Sequence, residues 1–374
     1  MTAPPRPPRL GGAHPDRVAV LGTGLIGTSI AMAAARLGAS VRGWDVDEGT
    51  LDRATAAAGF AAAASIEEAA ADAALVVVCT PIPTIAPLAA AALAAAPGAV
   101  VTDVGSIKGR IAREVAERAP EHVGRFVPGH PMGGSERSGP EHASPSVVDD
   151  IVWVVAEPGP ADAEAVKLVE SWVEALGARP VRMSPDRHDR LVAFVSHLPQ
   201  VASTVLMDLA ATEEADEPDL LLLAAGGFRD LTRLAASDPA LWSSILLANR
   251  EQIAEAVDLY VARLQALRED VVGSRASAVE SRFATAKDAR LRLATKPQVK
   301  AGVAVLQVEV PDRPGALARL TALLAEGTVN IEDLQIVHSP EGGRGTVHLT
   351  VGTEAAPAAA EVLRAGGFDP IRLA

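Results

Sequence analysis

The sequence contains a single cysteine, Cys79, so no disulfide can form within the chain. That cysteine ends an apolar run, where a small buried side chain is expected, and such usage fits a reducing cytoplasm. Long purely hydrophobic runs are also missing. The most apolar stretch, 191–210, carries Ser196, His197, Gln200 and Asp208, which suits a buried helix rather than a membrane span. The opening MTAPPRPPRLGGAHP is rich in proline and lacks an apolar signal-peptide core, so 1–15 is expected to be a disordered leader. Positive charge is in deficit, with 34 Lys and Arg against 47 Asp and Glu. The resulting formal charge of −13 argues against nucleic acid or an anionic membrane as partner. An anionic substrate would need Arg, Lys or His supplied locally. No metal is expected.

What the chain does have, over 374 residues that are 49% apolar, is enough material for two or three domains with sizeable cores. Its organising stretch is 18–30, VAVLGTGLIGTSI, which reads as a strand, a glycine turn and a helix. In that turn Gly22 makes the tight bend, Gly24 lets backbone N–H groups approach a pyrophosphate, and Gly27 lets the helix pack close on the strand. Glycines between two apolar runs also occur in ordinary turns, so the context decides. A second apolar segment, 40–44, ends in Asp45 at about the twenty-residue distance at which a carboxylate meets the adenosine ribose of NAD. With Leu25 and Ile26 in the turn and Thr80 after the strand 75–79, these residues make up the expected NAD contacts.

Strands and helices then alternate: helices at 51–59 and 66–71, strands at 75–79 and 100–103, 126–128 leading to Gly129, and a further strand at 151–156. This is the pattern of a doubly wound parallel sheet, a Rossmann-type α/β domain over 16–182. Ser184-Pro185 is a helix start, and 183–294 is helical in pattern almost throughout, an all-α domain. A linker at 295–301 precedes a small α+β domain, 302–374, with the order strand-helix-strand-strand-helix-strand. In the helical domain the apolar residues Leu241, Trp242, Ile245, Leu246, Ile253, Val257, Tyr260, Val261 and Leu264 recur at helical spacing, as in a core or a subunit interface.

Several segments at strand ends carry a resemblance: Asp103-Val104-Gly105-Ser106-Ile107-Lys108; Gly129-His130-Pro131-Met132-Gly133-Gly134-Ser135-Glu136-Arg137-Ser138-Gly139; Ser196-His197-Leu198-Pro199; and Gly226-Gly227-Phe228-Arg229-Asp230-Leu231-Thr232-Arg233. Together with the glycine turn, and in this order, they resemble the prephenate dehydrogenase family over roughly 18–294. The segment Pro311-Asp312-Arg313-Pro314-Gly315-Ala316-Leu317 with Val329-Asn330-Ile331 resembles the ACT family, a ferredoxin-like regulatory fold.

The resemblance implies NAD-dependent oxidative decarboxylation of prephenate to 4-hydroxyphenylpyruvate, in tyrosine biosynthesis. Hydride leaves the ring carbon bearing the hydroxyl only as the hydroxyl proton is removed, so a neutral histidine is a fitting base, and His130 is the candidate. Ser106 could bond the same hydroxyl or could cap a helix. His197 would orient substrate or nicotinamide, and Pro199 should kink its helix nearby. Arg233 would grip a substrate carboxylate, although its spacing from Asp230 also suits a surface ion pair. Glu136 reads equally as a hydrogen-bonding group across the site or a solvated loop charge, and the pair His188-Asp189 as a capping turn or a functional pair. The family often reads SHLPH where this chain has Gln200, which leaves arogenate open as the substrate, with tyrosine as direct product. Members of the family dimerise through the helical domain, so a homodimer is expected, with Trp242 close to the partner's site. In the terminal domain Asp312, Gly315 and Asn330 are candidate contacts to an effector amino acid, tyrosine being the sharper reading and a structural clamp the plainer one. Two other functions compete: a 3-hydroxyacid dehydrogenase of similar build, which would usually carry a catalytic Lys that 191–210 lacks, and a non-enzymatic sensor of NAD and an amino acid.

Overall fold

A computed structural model describes residues 14–133, 138–157, 159, 161–294, 303–311, 313–338 and 344–373. All but the last two residues of the expected leader, the linker 295–301, Glu136 and Asp312 lie outside the described residues. The chain divides into two compact units, Met1–Val205 with Leu234–Leu259, and Leu206–Arg233 with Tyr260–Ala374.

In the first unit, helices α1 (Leu25–Arg36), α2 (Glu48–Ala58), α3 (Ile66–Ala70), α4 (Ile82–Ala95) and α5 (Gly109–Arg118) alternate with strands β1 (Arg17–Leu21), β2 (Ser40–Trp44), β3 (Ala61–Ala62), β4 (Leu75–Val78), β5 (Val100–Asp103) and β6 (Phe126–Val127). The strands pair in parallel in the order β3-β2-β1-β4-β5-β6. Side chains alternate across the sheet. Val18, Val20, Leu75 and Val77 pack on one face with Ile30, Val169 and Trp172, while Ala19, Leu21, Val76 and Val78 pack on the other with Ile85, Leu93 and Ile111. A strand buried on both faces reads as a continuous apolar run, which is why 75–78 carries no polar residue. Cys79, just beyond it, is half-buried, and burial pushes its thiol far up from the usual range.

The strand expected at 151–156 does not join this sheet. Strands β7 (Gly129–Pro131), β8 (Val152–Ala156) and β9 (Arg179–Met183) form a separate three-stranded sheet, with helix α6 (Ala163–Ala175) between the last two. In it β7 is antiparallel to β8 and β8 is parallel to β9. The chain changes sheets at Pro128, which has no N–H to continue the β6 ladder.

The helical region follows: α7 (Pro185–Val192), a π-helical turn at Ala193–His197, α8 (Leu198–Glu213), α9 (Gly226–Thr232), α10 (Pro239–Ala248), α11 (Arg250–Val272) and α12 (Ala276–Ala294). The Ser184 hydroxyl caps α7 by accepting from the Arg187 N–H, with Pro185 at the first position. The irregularity expected near Pro199 is that π turn, in which the Leu198 N–H reaches back five residues to the Ala193 carbonyl. By length and composition the run Pro185–Glu213 is apolar enough to cross a membrane, yet it buries His188, Asp189 and His197. The apolar stripe of the helical domain is divided: Ile245 and Ile253 are buried, whereas Leu241, Tyr260, Val261 and Leu264 are exposed.

In the second unit, β10 (Val303–Pro311), α13 (Ala316–Glu326), β11 (Ile331–His338), β12 (Arg344–Gly352), α14 (Ala356–Ala365) and β13 (Pro370–Leu373) build an antiparallel sheet in the order β11-β12-β10-β13. Alternate residues of β10 and β12, among them Leu306, Val308 and Leu349, pack against Leu320, Leu324 and Leu363 of the two helices. This is the ferredoxin-like order expected for the terminal domain.

Candidate active site

Because β1, β4 and β5 are parallel, the residues just past their ends gather on one edge of the sheet. Gly22 sits there with φ +92°, where a Cβ would lie 2.6 Å from Thr80 Cγ2, and a Cβ at Gly27 would lie 2.0 Å from the Gly22 carbonyl oxygen. Positions 22 and 27 therefore take only glycine. Around the missing Cβ of Gly24 there is open space to 4 Å. No side chain caps α1, so the N–H groups of its first turn, from Leu25 through Gly27, remain available to an anion. The Thr80 hydroxyl is buried without a partner among the described residues. Asp45, past the end of β2, accepts from the Thr23 N–H at 2.6 Å and from the Asp47 N–H at 3.0 Å, which fixes its carboxylate against the glycine turn. An open glycine cradle, an orphaned hydroxyl and a carboxylate one strand away fit a dinucleotide.

Beside that edge lies a cluster of buried polar side chains. Asp103, the last residue of β5, is paired with Lys108, and both are fully buried. Lys108 Nζ donates to the Gly129 carbonyl at 2.6 Å, and Asp103 accepts from the Gly129 N–H at 3.2 Å. The pair thus holds both backbone groups of the residue before His130. Burial pushes each towards its neutral form, and their mutual attraction opposes that.

His130, half-buried on β7, places Nδ1 2.8 Å from Nε2 of His188, with the two rings edge to face. His188 Nδ1 is 2.8 Å from Asp189 Oδ1. The Asp189 carboxylate also accepts from the N–H groups of Lys108 at 2.7 Å and Gly109 at 2.8 Å, so a residue far along the chain caps α5. Asn249 donates through Nδ2 to the Asp189 carbonyl at 2.9 Å and faces His197 Nδ1 at 3.2 Å. An amide NH2 only donates, so His197 Nδ1 accepts and its ring hydrogen sits on Nε2. Trp242 packs edge-on against the His197 ring of its own chain, with centroids 6.0 Å apart. Burial, aided by His188, Lys108 and His197, holds His130 well below the ordinary histidine range. Burial also lowers His188, against the pull of Asp189, and pushes His197 down to about 4. All three rings are neutral near pH 7.

Ser106 is half-buried and makes no hydrogen bond among the described residues; it does not cap α5, since Lys108 holds the N-cap position and Asp189 does the capping. The Gln200 amide donates to the Leu234 carbonyl at 2.8 Å, tying α8 to the segment before α10. Gln200 also lines, with Val201, Trp242 and Leu246, an apolar cavity of about 520 Å³. Arg233 belongs to the second unit, exposed at the head of the turn after α9. In the terminal domain Gly315 has φ +85° at the start of α13, and Asn330 donates to Glu332 at 2.9 Å. A cavity of about 280 Å³ in the same domain is lined by Pro311, Arg313, Arg319, Phe368 and Asp369, not by Gly315 or Asn330. Among the described residues no group of three His, Cys, Asp or Glu side chains could hold a metal. Sequence reasoning assigns no role to Asp103, Lys108 or Asn249, and it leaves His188-Asp189 between a capping turn and a functional pair. The charges at the two ends of the Gly105-Ser106 turn and the adjacency of His188 and Asp189 are the available signals; for Asn249 there is none.

A dinucleotide cradle at the carboxyl edge of a parallel sheet, with neutral histidines clustered beside it, defines a nicotinamide-dependent dehydrogenase. Family models narrow the class: "prephenate dehydrogenase, nucleotide-binding domain" matches residues 30–182, "prephenate dehydrogenase, dimerization domain" matches 184–284, and "ACT domain" matches 304–365. A prephenate dehydrogenase of Bacillus subtilis is 31% identical over 345 residues, covering 90% of this chain and 92% of that protein. A cyclohexadienyl dehydrogenase of Zymomonas mobilis is 31% identical over 76% of this chain and 98% of its own length. The crystal structure of prephenate dehydrogenase from Aquifex aeolicus with hydroxyphenyl propionate and NAD+ superposes with a TM-score of 0.69 at 28% identity, covering 74% of this chain and 98% of that one. The chain belongs to the prephenate dehydrogenase family.

Proposed function

We propose that the chain catalyses the NAD-dependent oxidative decarboxylation of prephenate to 4-hydroxyphenylpyruvate in tyrosine biosynthesis, with His130 as the base. The observation that carries this role is a half-buried imidazole, kept neutral by burial, with one nitrogen tied to His188 and the other making no hydrogen bond among the described residues. That second nitrogen can take the proton of the ring hydroxyl, which frees the carbon beneath it to lose hydride. When bound, NAD supplies the hydride acceptor. Gly22, Gly24, Leu25, Ile26, Gly27, Asp45 and Thr80 hold it, and the Asp45 carboxylate repels a 2′-phosphate. The Lys108–Asp103 pair keeps the His130 strand in register, Ser106 offers a hydroxyl to the reacting oxygen, and His197 offers an N–H on Nε2 to the substrate or the nicotinamide. As carbon dioxide leaves, the ring becomes aromatic, which drives the reaction. Arg233, Gln200 and Glu136 complete the proposed substrate contacts, with the Arg233 guanidinium on a carboxylate.

The exposed apolar side chains Leu241, Tyr260, Val261 and Leu264 support a homodimer formed through the helical domain. The terminal domain is proposed to take tyrosine near Asp312, Gly315 and Asn330. Tyrosine inhibition of the full chain should then weaken in a chain ending near Thr295; inhibition undiminished by truncation would place the effect at the active site. The test of the function is NADH formation at 340 nm with prephenate, arogenate and a 3-hydroxyacid offered in turn. Prephenate should give the highest kcat/KM, and no NADH from prephenate would overturn the reading.

A further inference from the structure

We propose that His188, held by Asp189, is a positioning residue that fixes the His130 ring with its hydrogen on Nδ1 and its lone pair on Nε2. This rests on the reading of His130 as the base and names the device that presents the base in working form.

The Asp189 carboxylate already accepts the N–H groups of Lys108 and Gly109, and a carboxylate only accepts, so His188 Nδ1 at 2.8 Å must be the donor. A neutral His188 carries one ring hydrogen, and with that hydrogen on Nδ1 its Nε2 can only accept. His130 Nδ1 stands 2.8 Å from that nitrogen and so donates to it. The one hydrogen of neutral His130 is then spent inward, and Nε2 keeps a bare lone pair. With the opposite tautomer the ring would aim an N–H at the substrate hydroxyl and could not take its proton.

The charges around the pair support the same polarity. Lys108 and His197 face His130 together with His188, while Asp189, Lys108 and Asp103 face His188. Neither ring gains a proton at rest. When His130 Nε2 takes the hydroxyl proton, its Nδ1–H keeps donating to His188, whose acceptor nitrogen is enriched by Asp189 at its other end, and no ring has to turn. His197 is set the other way, with its hydrogen on Nε2 through Asn249, so two neighbouring histidines present opposite hydrogen-bonding faces.

The test is the tautomer itself. The full chain labelled with 15N-histidine is measured by long-range 1H–15N correlation at pH 8, with His130 identified by the signals that vanish in His130→Asn. His130 should show a protonated Nδ1 and an unprotonated Nε2; the reverse pattern, or an exchanging mixture, would overturn the proposal. This readout needs no turnover, so a chain that fails to oxidise prephenate would refute the function and leave the tautomer result standing. A kinetic arm adds His188→Leu, which should lower kcat about 10- to 100-fold with KM near the parent value. His188→Gln, whose side-chain oxygen can accept from Nδ1, should recover most of that loss. Parent-level kcat in His188→Leu, or equal loss in both variants, would overturn the role.

Discussion

The cofactor edge of the site is made of backbone, and the histidine cluster beside it is made of side chains. From Gly22 to Gly27 six consecutive residues supply a turn, an open face and the uncapped N–H groups of α1, with Asp45 and Thr80 added from neighbouring strand ends. The histidine cluster draws Asp103 and Lys108 from the end of β5, His130 from β7, His188 and Asp189 from α7, His197 from the π turn and Asn249 from the start of α11. A backbone site tolerates polar change and fails on added volume. A side-chain site buried from water fails on the loss of one partner, because whatever remains is left unpaired.

The largest expected break is Lys108→Met. It leaves Asp103 buried without its counter-ion and releases the Gly129 carbonyl, so urea unfolding should show a loss of about 3–5 kcal/mol. A loss under ~1 kcal/mol would mean that the pair does not hold the His130 strand. Next come paired changes at the cofactor edge. Gly27→Ala sets a methyl against the Gly22 carbonyl and should cost ~1–3 kcal/mol. Gly24→Ala enters open space and should leave stability within about 0.5 kcal/mol while weakening NAD binding in a fluorescence titration. Equal destabilisation by the two would remove the distinction between packing and ligand glycines. A change in cofactor choice alone is expected of Asp45→Ser, which should narrow the preference for NAD over NADP about tenfold by kcat/KM ratios, the worth of ~1.4 kcal/mol. A parent that already uses NADP equally well would place Asp45 away from the ribose.

The same contrast governs what the sequence makes legible. The glycine turn, β1, β2, β4 and β5 are local patterns: a few consecutive residues carry the geometry, and strands buried on both faces announce themselves as unbroken apolar runs. The Ser184-Pro185 helix start and the irregular helix before Pro199 are local too. Residues 151–156 also read as a strand, but which sheet a strand joins depends on the switch at Pro128 and the antiparallel pairing with β7, and neither is visible in a window of six residues. Lys108 is given no role from sequence, because nothing near it in the chain shows that Asp103 and Gly129 enclose it. His188-Asp189 reads equally as a capping turn, and Asp189 is indeed a cap, but of α5, some eighty residues earlier in the chain. Gln200 is expected as a substrate contact, and nothing near it in sequence shows that its amide also donates to the Leu234 carbonyl. Such assignments depend on tertiary partners, which propensity and period do not encode.

The claim on which the rest depends is that the chemistry rests on His130 as a neutral base. The direct measurement is kcat with prephenate at saturating NAD, from pH 8 downward, for the parent and for His130→Asn. Protonated His130 cannot accept a proton, and its burial beside His188, Lys108 and His197 holds it well below the ordinary histidine value of 6.5. The parent rate should therefore persist through pH 6.5 and fall only at lower pH. His130→Asn should lose about two to four decades in kcat, with KM little changed and the acid limb gone. A His130→Asn enzyme with near-parent kcat and the same pH profile would contradict the account.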